Sequence, residues 1–382
     1  MRTEPLPGPY PGALLISESE EREVVEVLRA GSLFRYYGPN VLGKAPAFEA
    51  ALAARLGASH ALALNSGTSA LKCALAAVGV NRRDEVLVPA FSYLASADVV
   101  LSLGATPVFV EVDRSLTMDP EDMRRKITRR TRAITPVHLF GSCAHMAPIL
   151  EAAEITNVPV VEDFAQSLGA SYRGRAAGTL GRCGITSFQV NKVITAGEGG
   201  AVVTNDADLY ERVVRQHDHG AFREGNMPAG DTVGEGMRIT ELQAAVLLAQ
   251  LRRLDDILER LRSAKATIVR GLADIPSLEL APVPDASGDA GCGVIFFARD
   301  AARCHDIVAA IQAEGIRVVR QYGGKPVYAN PAVARALGAA PQCPRTEDLA
   351  GRAVFLGLTT TFTPQDLADI VEAISKVMQV LG

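Results

Sequence analysis

Short apolar runs alternate with longer amphipathic or Ala-rich stretches through most of the first 210 residues. The runs are rich in β-branched residues, whereas stretches such as 69–77 and 146–153 have the length and composition of helices. Strand, helix and strand at this rhythm predict an α/β fold with a mostly parallel sheet covered by helices on both faces. The strand candidates are 60–64, 85–88, 106–110, 133–137, 158–162 and 185–188.

The pattern changes at about Thr240. Leu and Ile recur at three- and four-residue spacing over 240–272, which predicts one long helix with Thr240 as N-cap and Gln243 completing a capping box. After a loop rich in Pro, Gly and Asp at 282–291, strand-like and helical runs predict a smaller α+β unit. We therefore predict a large domain over 1–250 and a small C-terminal domain over 251–382, joined by the long helix.

The overall composition narrows the class of protein. A chain of 382 residues is longer than one that usually folds around a single hydrophobic core, so we expect two domains. Its net charge of −4 argues against nucleic acid or anionic membranes as partners. No apolar run reaches the roughly 18 residues of a membrane helix, and the N-terminus lacks the apolar region of a signal peptide. Six scattered cysteines favour free thiols in a reducing cytoplasm. No metal-ligand pattern of carboxylates or cysteines surrounds His217 and His219, so we expect no metal site.

Chemistry is expected just after each strand, because parallel sheets bind ligands at the carboxyl ends of their strands. In LNSGTSAL (64–71) a strand ends, the chain turns at Gly67 and a helix starts near Thr68. Free amides and the positive end of the helix dipole would suit an anion there. Taken alone, however, Ser-Gly-Thr is more often simply a good helix cap.

Two further strand ends carry an aromatic ring and a carboxylate. Tyr93, in VPAFSYLAS (88–96), could stack on a planar heterocycle or be an ordinary core or rim tyrosine. In PVVEDFAQSLGA (159–170) an apolar strand runs into Glu162 and Asp163, and a buried carboxylate needs a cationic or hydrogen-bonding partner. A protonated pyridine nitrogen would be such a partner, and a helix N-cap is the equally weighted alternative.

The segment SFQVNKVITAGEGGAVVTND (187–206) carries the most information. Lys192 follows an apolar strand in a stretch that is otherwise uncharged until Glu198. Burial would lower the pKa of Lys192 toward the free amine, which is the nucleophile that imine formation requires. Ser187 could present its hydroxyl to a phosphate. The alternative is an exposed loop lysine followed by a glycine hairpin.

The four motifs are more informative together than separately. A phosphate turn, a stacking aromatic ring, a carboxylate for a pyridinium nitrogen and a Schiff-base lysine occur in that order, each after a predicted strand. A dinucleotide site is the competing interpretation, but no Gly-x-Gly-x-x-Gly follows the first strand, and there is no Walker-type Gly-Lys-Thr/Ser.

With these motifs the sequence resembles the DegT/StrS family of fold type I aminotransferases, which depend on pyridoxal 5'-phosphate (PLP) and act on keto sugars and cyclitols. The resemblance covers nearly the whole chain, including 36–71, PVHLFG (136–141), GMRITELQAAV (236–246) and QYGGKPVYANPAV (321–333). It implies an α/β large domain with a smaller α+β C-terminal domain. It also implies that PLP is held as a Schiff base on Lys192, which would then act as the general acid and base.

The resemblance assigns roles to the other motif residues. Asp163 would pair with the pyridine nitrogen, Gln166 would approach the phenolic oxygen face of the ring, and Tyr93 would stack on it. The phosphate would be held by Gly67, Thr68 and Ser187. Family members are dimers with shared active sites, so candidates for contributing to the substrate site across the interface are Tyr36, Tyr37 and Arg238.

The chain departs from the family pattern at two positions. Gln189 replaces a common His, as in the branch that contains 3-amino-5-hydroxybenzoate synthase and the glutamine:scyllo-inosose aminotransferases. Gly236 replaces an Asn that commonly reaches the phosphate of the partner subunit. Either another residue, for example in the loop 221–233, takes over this contact or phosphate binding is weaker.

The resemblance implies a two-step transamination with ping-pong kinetics. L-Glutamate or L-glutamine would donate the amino group, and a keto cyclitol, keto sugar or related natural-product carbonyl would accept it. The alternatives are a nucleotide-linked keto-sugar aminotransferase and a non-catalytic regulatory homologue. A dehydrating relative is disfavoured, because in that branch a histidine replaces the lysine that this chain retains.

Overall fold

The computed structural model describes residues 5–219, 233–338 and 341–382. Its strands are β1 (His60–Leu64), β2 (Glu85–Pro89), β3 (Thr106–Val110), β4 (Thr131–Ile134), β5 (Val161–Asp163), β6 (Ser171–Tyr172), β7 (Arg175–Ala176), β8 (Cys183–Ser187), β9 (Gly200–Thr204), β10 (Glu279–Leu280), β11 (Gly293–Phe297), β12 (Val318–Val319) and β13 (Ala353–Gly357). Its α-helices are α1 (Glu18–Ala30), α2 (Lys44–Leu56), α3 (Gly67–Ala77), α4 (Ala95–Ser102), α5 (Pro120–Lys126), α6 (Met146–Thr156), α7 (Ala207–His217), α8 (Glu241–Leu251), α9 (Leu254–Leu272), α10 (Ala301–Ala313), α11 (Pro331–Leu337), α12 (Pro344–Arg352) and α13 (Pro364–Leu381).

The large sheet consists of two hydrogen-bonded groups of strands, β3-β2-β4 and β5-β8-β9-β1. Parallel bridges between Ile134 and Val160 and between Val137 and Asp163 connect them. Strand β9 is antiparallel to both β8 and β1, whereas the other neighbouring strands run parallel. The prediction of a mostly parallel sheet is therefore confirmed. Strands β2 and β9 are buried along their whole length, as expected for a sheet covered on both faces.

The six strand candidates all correspond to strands of this sheet, with shifts of a few residues at β4, β5 and β8. Strand β9, with the sequence GAVVT, follows a glycine-rich turn and was not among the strand candidates. Its neighbours show why it forms: Gly200 pairs with Ser187 of β8 and Leu64 of β1, which closes the sheet between these two strands.

The prediction of one continuous helix over 240–272 is wrong. The chain forms α8 and then α9, and Arg253 between them has non-helical angles of φ −106° and ψ 7°. The two helices pack on different neighbours, α8 on α1 and α2 and α9 on β11 and α13, so a straight helix could not serve both. The capping box of Thr240 and Gln243 is present at the start of α8. The domain boundary at 250/251 stays a prediction.

The second sheet is antiparallel, in the order β10-β11-β13-β12. Helices α9 and α10 pack on it, and α13 packs on these two helices. This arrangement is the α+β unit that the C-terminal pattern predicted. Within the described ranges, no helix has both the length and the apolar character needed to cross a bilayer.

Candidate active site

A cavity of about 630 Å³ lies where β1, β2, β5 and β8 of the large sheet end. Its opposite wall is formed by Val319 of β12 and by Phe355 and Gly357 of β13. The volume is in the range of small-molecule sites in proteins. Seven residues singled out from the sequence line this one cavity: Gly67, Thr68, Tyr93, Asp163, Gln166, Ser187 and Lys192.

The start of α3 forms one end of the cavity. The Ser66 side chain accepts the Ser69 amide at 3.1 Å, so Ser66 is the N-cap and α3 begins at Gly67. Among the described residues, the amides of Gly67 and Thr68 have no acceptor, as is usual for the first turn of a helix. A Cβ added at Gly67 would lie 2.7 Å from the Ser187 Cβ, so only glycine lets β8 approach this closely. Two open amides beside a serine hydroxyl suit a phosphate.

Asp163 is the last residue of β5 and faces the cavity. Burial raises the pKa of the Asp163 carboxyl. Two interactions offset part of that rise: the Ala165 amide donates to Oδ1 at 3.0 Å, and Lys192 contributes a nearby positive charge. Within the described chain the carboxylate accepts this hydrogen bond alone and forms no ion pair. A cationic ring nitrogen would supply the missing partner and favour the ionised carboxylate.

Lys192 lies in the loop between β8 and β9. Thr195 fixes this loop, because its amide donates to Gln250 Oε1 at 2.8 Å and its hydroxyl donates to the Phe188 carbonyl at 2.8 Å. Burial lowers the pKa of Lys192, while the negative charge of Asp163 opposes the change. Nζ has no hydrogen-bond acceptor or ion-pair partner among the described residues. The amine is therefore held in a cavity with its nucleophilic form favoured.

Tyr93 and Gln166 line the wall that faces the second sheet. The Tyr93 side chain is 62% exposed, and its ring lies 6.4 Å from the ring of Tyr322. Gln166 donates through Nε2 to the Tyr322 hydroxyl at 3.0 Å. Sequence reasoning missed Tyr322, which the 321–333 motif contains but which no local chemical signal marks. Burial raises the pKa of the Tyr322 hydroxyl to about 12.

Tyr36, Tyr37 and Arg238 do not line the cavity. They surround Phe34, whose ring contacts both tyrosine rings and lies under the Arg238 guanidinium. Tyr36 shares a 2.9 Å hydrogen bond with Nε2 of His217, and Arg238 forms an ion pair with Asp218. Their contribution to a substrate site therefore stays a prediction.

The two departures from the family pattern have different surroundings. Gln189 lines the cavity, and its Oε1 accepts the Asn191 amide at 3.2 Å. Gly236 lies beside Arg238 and His219, whose side-chain nitrogens would be 3.4 Å from an added Cβ. Residues 220–232 lie outside the described residues, so the predicted contribution of the loop 221–233 stays a prediction.

Several cavity residues have no counterpart in the sequence predictions. Pro9, Tyr10 and Pro11 come from the N-terminal segment, and Arg317 precedes β12. They lie far along the chain from the strand-end motifs, so no local pattern marked them. In the described part of the chain, no three His, Cys, Asp or Glu side chains are grouped as metal ligands.

A family model described as the DegT/DnrJ/EryC1/StrS aminotransferase family matches residues 15–375. The chain belongs to this family. It is accordingly a PLP-dependent aminotransferase, and the open amides of α3, the unpaired carboxylate of Asp163 and the free amine of Lys192 fit that cofactor.

The relatives of this aminotransferase act on different substrates. It is 35% identical to L-glutamine:2-deoxy-scyllo-inosose aminotransferase of Streptomyces fradiae over 368 residues, which cover 87% of this chain and 85% of that protein. It is 47% identical to GDP-perosamine synthase of Caulobacter vibrioides over 212 residues. This match covers only about half of each protein, 55% of this chain and 56% of the synthase.

Two solved structures share the fold over almost the full length. That of 3-amino-5-hydroxybenzoic acid synthase has a TM-score of 0.89 at 29% identity, covering 99% of this chain and 100% of that one. That of Streptomyces venezuelae DesV in complex with a ketimine intermediate has a TM-score of 0.89 at 32% identity and covers 100% of both chains. The α/β fold type and the resemblance drawn from the motifs are thus confirmed.

Proposed function

We propose that this aminotransferase moves an amino group from L-glutamate or L-glutamine to a keto cyclitol, keto sugar or related natural-product carbonyl in a ping-pong reaction. The observation that carries the proposal is that Lys192, Asp163 and the open N-terminus of α3 line one cavity. An amine, a buried carboxylate and an anion site at three strand ends are what PLP requires.

Each cavity residue has a defined part in this proposal. Bound PLP supplies an electron sink for the carbon that gains or loses the amino group. Lys192 would bind the cofactor through Nζ and afterwards carry the proton between the reacting carbons. Asp163 would pair with the ring nitrogen and stabilise its positive charge. Gly67, Thr68 and Ser187 would hold the phosphate, Tyr93 would flank the ring, and Gln166 would approach its phenolic oxygen.

Two observations support a cyclitol or a related ketone as acceptor. Gln189 rather than His lines the cavity beside Lys192, and the match to the scyllo-inosose aminotransferase covers most of both chains. The second candidate is a nucleotide-linked keto sugar, which the higher identity to GDP-perosamine synthase over half of the chain favours.

We further propose a homodimer with shared active sites. Exposed apolar side chains are concentrated in the segment 28–42, and such a concentration is typical of an interaction surface. The residues are Leu28, Leu33, Tyr37, Val41 and Leu42. Tyr36, Tyr37 and Arg238 lie in or beside this segment and are the candidates for reaching a neighbouring subunit. The cysteines of the chain are free, which supports a reducing cytoplasm, and no nucleic acid or membrane partner is proposed.

The absorption spectrum of the purified protein tests the role of Lys192. With PLP added, the wild-type protein should develop a visible band that borohydride bleaches, and Lys192→Ala should not. Lys325→Ala, which removes an exposed lysine outside the cavity, is the matched control and should behave as wild type. A wild-type protein that stays colourless with PLP would contradict the proposal and favour a non-catalytic homologue.

A half-reaction screen identifies the acceptor. The enzyme is first loaded with L-glutamate or L-glutamine, which bleaches the visible band, and keto cyclitols and nucleotide-linked keto sugars are then added separately. A keto cyclitol should restore the band. Recovery with nucleotide-linked keto sugars alone would replace the first candidate with the second.

A further inference from the structure

Next to Asp163, but outside the cavity, lies a buried pair of titratable side chains. His138 and Glu162 are both fully buried, and His138 Nε2 lies 2.9 Å from Glu162 Oε2. Neither side chain lines the cavity, so neither can touch a substrate there. The preceding residues of the Glu162 strand segment, Val160 and Val161, are apolar, as is usual in a buried sheet. A buried carboxylate at this position requires a specific reason.

The Glu162 carboxylate is saturated with hydrogen bonds. The amides of Leu180 and Gly181 donate to Oε1, each at 2.6 Å, and the Gly178 amide donates to Oε2 at 2.9 Å. With His138 this makes four donors on one side chain. Four donors on two oxygens satisfy the hydrogen-bonding capacity of this buried carboxyl group. Glu162 therefore ties the end of β5 to the turn at 178–181.

The hydrogen bonds of His138 fix the tautomer and the orientation of its ring. Its Nδ1 accepts the Ala144 amide at 3.1 Å and so carries no proton. Nε2 is then the donor, and its N–H points to Glu162 Oε2. A ring that accepts on one side and donates on the other can adopt only one orientation.

The same two residues flank Asp163 through the backbone. The His138 amide donates to the Asp163 carbonyl at 2.8 Å, and the Asp163 amide donates to the Pro136 carbonyl at 2.9 Å. Asp163 follows Glu162 directly in the chain, so the side-chain pair and these backbone bonds join the end of β5 to the segment 136–138 that follows β4. Of the residues that the structure describes, only Ala165 donates a hydrogen bond to the Asp163 carboxylate.

We propose that His138 and Glu162 are positioning residues that fix Asp163 for its contact with the ring nitrogen of the cofactor. The proposal rests on the function given above for Asp163. The fully hydrogen-bonded side chain of Glu162 anchors one side of the Asp163 backbone, and His138 anchors the other. The carboxylate of Asp163 is thereby held at the cavity wall, although within the described chain it accepts a hydrogen bond from the Ala165 amide alone.

Pyridoxamine phosphate is the appropriate probe, because it binds without a covalent bond to Lys192. His138→Phe keeps a ring of similar shape and removes both hydrogen bonds, so binding should weaken by about tenfold or more. His138→Gln retains an N–H for Glu162 and should stay within about threefold of wild type. Ile149→Ala removes another fully buried side chain away from the cavity and controls for general loss of stability.

A double mutant shows whether the effect acts through Asp163. In an Asp163→Asn background, His138→Phe should weaken binding of the probe no further, because the contact that it positions is already lost. If His138→Phe does not fold, Glu162→Gln replaces it, since an amide nitrogen would then face the N–H groups of Gly178 and His138.

Two outcomes would overturn the proposal. One is a His138→Phe or Glu162→Gln protein that binds pyridoxamine phosphate as wild type does. The other is a loss of the same size in the presence and absence of Asp163, which would indicate a purely structural role. Failure of the proposed function looks different, because the wild-type protein itself would then fail to bind PLP or pyridoxamine phosphate.

Discussion

At the scale of single residues, the cavity is defined by groups that lack partners. Lys192, Asp163 and the Gly67 and Thr68 amides each leave a hydrogen-bonding or charged group open within the described chain. Such groups are costly in a folded protein unless a ligand satisfies them. Their cost should therefore be measurable when PLP is absent.

Lys192→Met should raise the melting temperature of the cofactor-free protein at about pH 7.5. Burial lowers the pKa of Lys192 below its usual 10.5, so between the lowered value and 10.5 the unfolded chain binds a proton that the folded chain does not. Stability of the cofactor-free wild type thus rises with pH across this window. Thermal melts from about pH 7.5 to 10.5 should show the advantage of Lys192→Met shrinking as pH rises.

The matched control for this experiment is Lys325→Met, which replaces an exposed lysine and should leave the pH dependence unchanged. A cofactor-free wild type whose stability falls as pH rises toward 10.5, with Lys192→Met following the same curve, would contradict the assignment of Lys192 as a buried amine.

Arg317 is a second residue whose charge has no partner among the described residues. Side chains alternate between the two faces of a strand, and Val318 of the edge strand β12 is buried in the core. The residues on either side of it, Arg317 and Val319, therefore face the cavity. If the donor is an amino acid, Arg317→Gln should raise the KM for L-glutamate and for L-glutamine by about tenfold to 100-fold, because both carry an α-carboxylate.

Steady-state kinetics with both donors test this expectation, and Arg303→Gln on α10, an exposed position away from the cavity, is the control. A loss confined to L-glutamate would assign Arg317 to the side-chain carboxylate instead. If the KM for the acceptor alone rose, Arg317 would belong to the acceptor site and the donor assignment would be wrong.

At the scale of elements, α8 connects the N-terminal segment to the loop that carries Lys192. Gln250 is fully buried, accepts the Thr195 amide at 2.8 Å and donates to the Gly12 carbonyl at 3.1 Å. The Gly12 amide in turn donates to the Lys192 carbonyl at 3.4 Å. One side chain of α8 therefore holds two segments of the cavity wall.

Gln250→Met keeps the side-chain volume but leaves the Thr195 amide and the Gly12 carbonyl unpaired. The free energy of unfolding in urea should fall by about 2 kcal/mol or more, and PLP should load more slowly because the Lys192 loop is less ordered. Leu248→Met on the same helix changes only packing and should cost less than about 1.5 kcal/mol. Equal losses for the two variants would show that the hydrogen bonds of Gln250 are unimportant.

The elements that sequence reasoning found are those with a local pattern. Strands such as β1 and β3 are apolar runs with turn residues at their ends, and the Thr240 cap is a short motif. The break at Arg253 has no such signal, because arginine is a good helix former and the interruption comes from the different neighbours of α8 and α9. Strand β9 was missed because its pairing partners, β8 and β1, decide its conformation.

At the scale of the whole molecule, the cavity combines residues from opposite ends of the chain. Its strand-end half was predictable, since the carboxyl ends of parallel strands share one edge. Tyr322, Arg317 and Tyr10 were not predictable, because they reach the cavity only through the packing of the second sheet and the N-terminal segment. The proposed contacts of Tyr36, Tyr37 and Arg238 would involve a second subunit and were inferred from the family resemblance alone.

The proposed homodimer can be tested with charged substitutions in the exposed apolar segment. Leu33→Asp should shift the protein from dimer to monomer in analytical ultracentrifugation, because it would bury a charge in the interface. Ile155→Asp on α6, where an exposed apolar residue stands outside this segment, is the control and should leave the mass unchanged. A wild-type protein that sediments as a monomer at micromolar concentration would contradict the dimer.

The position of Tyr10 on the cavity wall has a practical consequence. The chain contains no tryptophan, so Tyr10→Trp would introduce a single tryptophan on the cavity wall. Its emission would report when a ligand arrives, how fast it leaves and whether the N-terminal segment moves as it does so. Candidate acceptors could then be ranked by binding in a plate reader, before any of them has been shown to react.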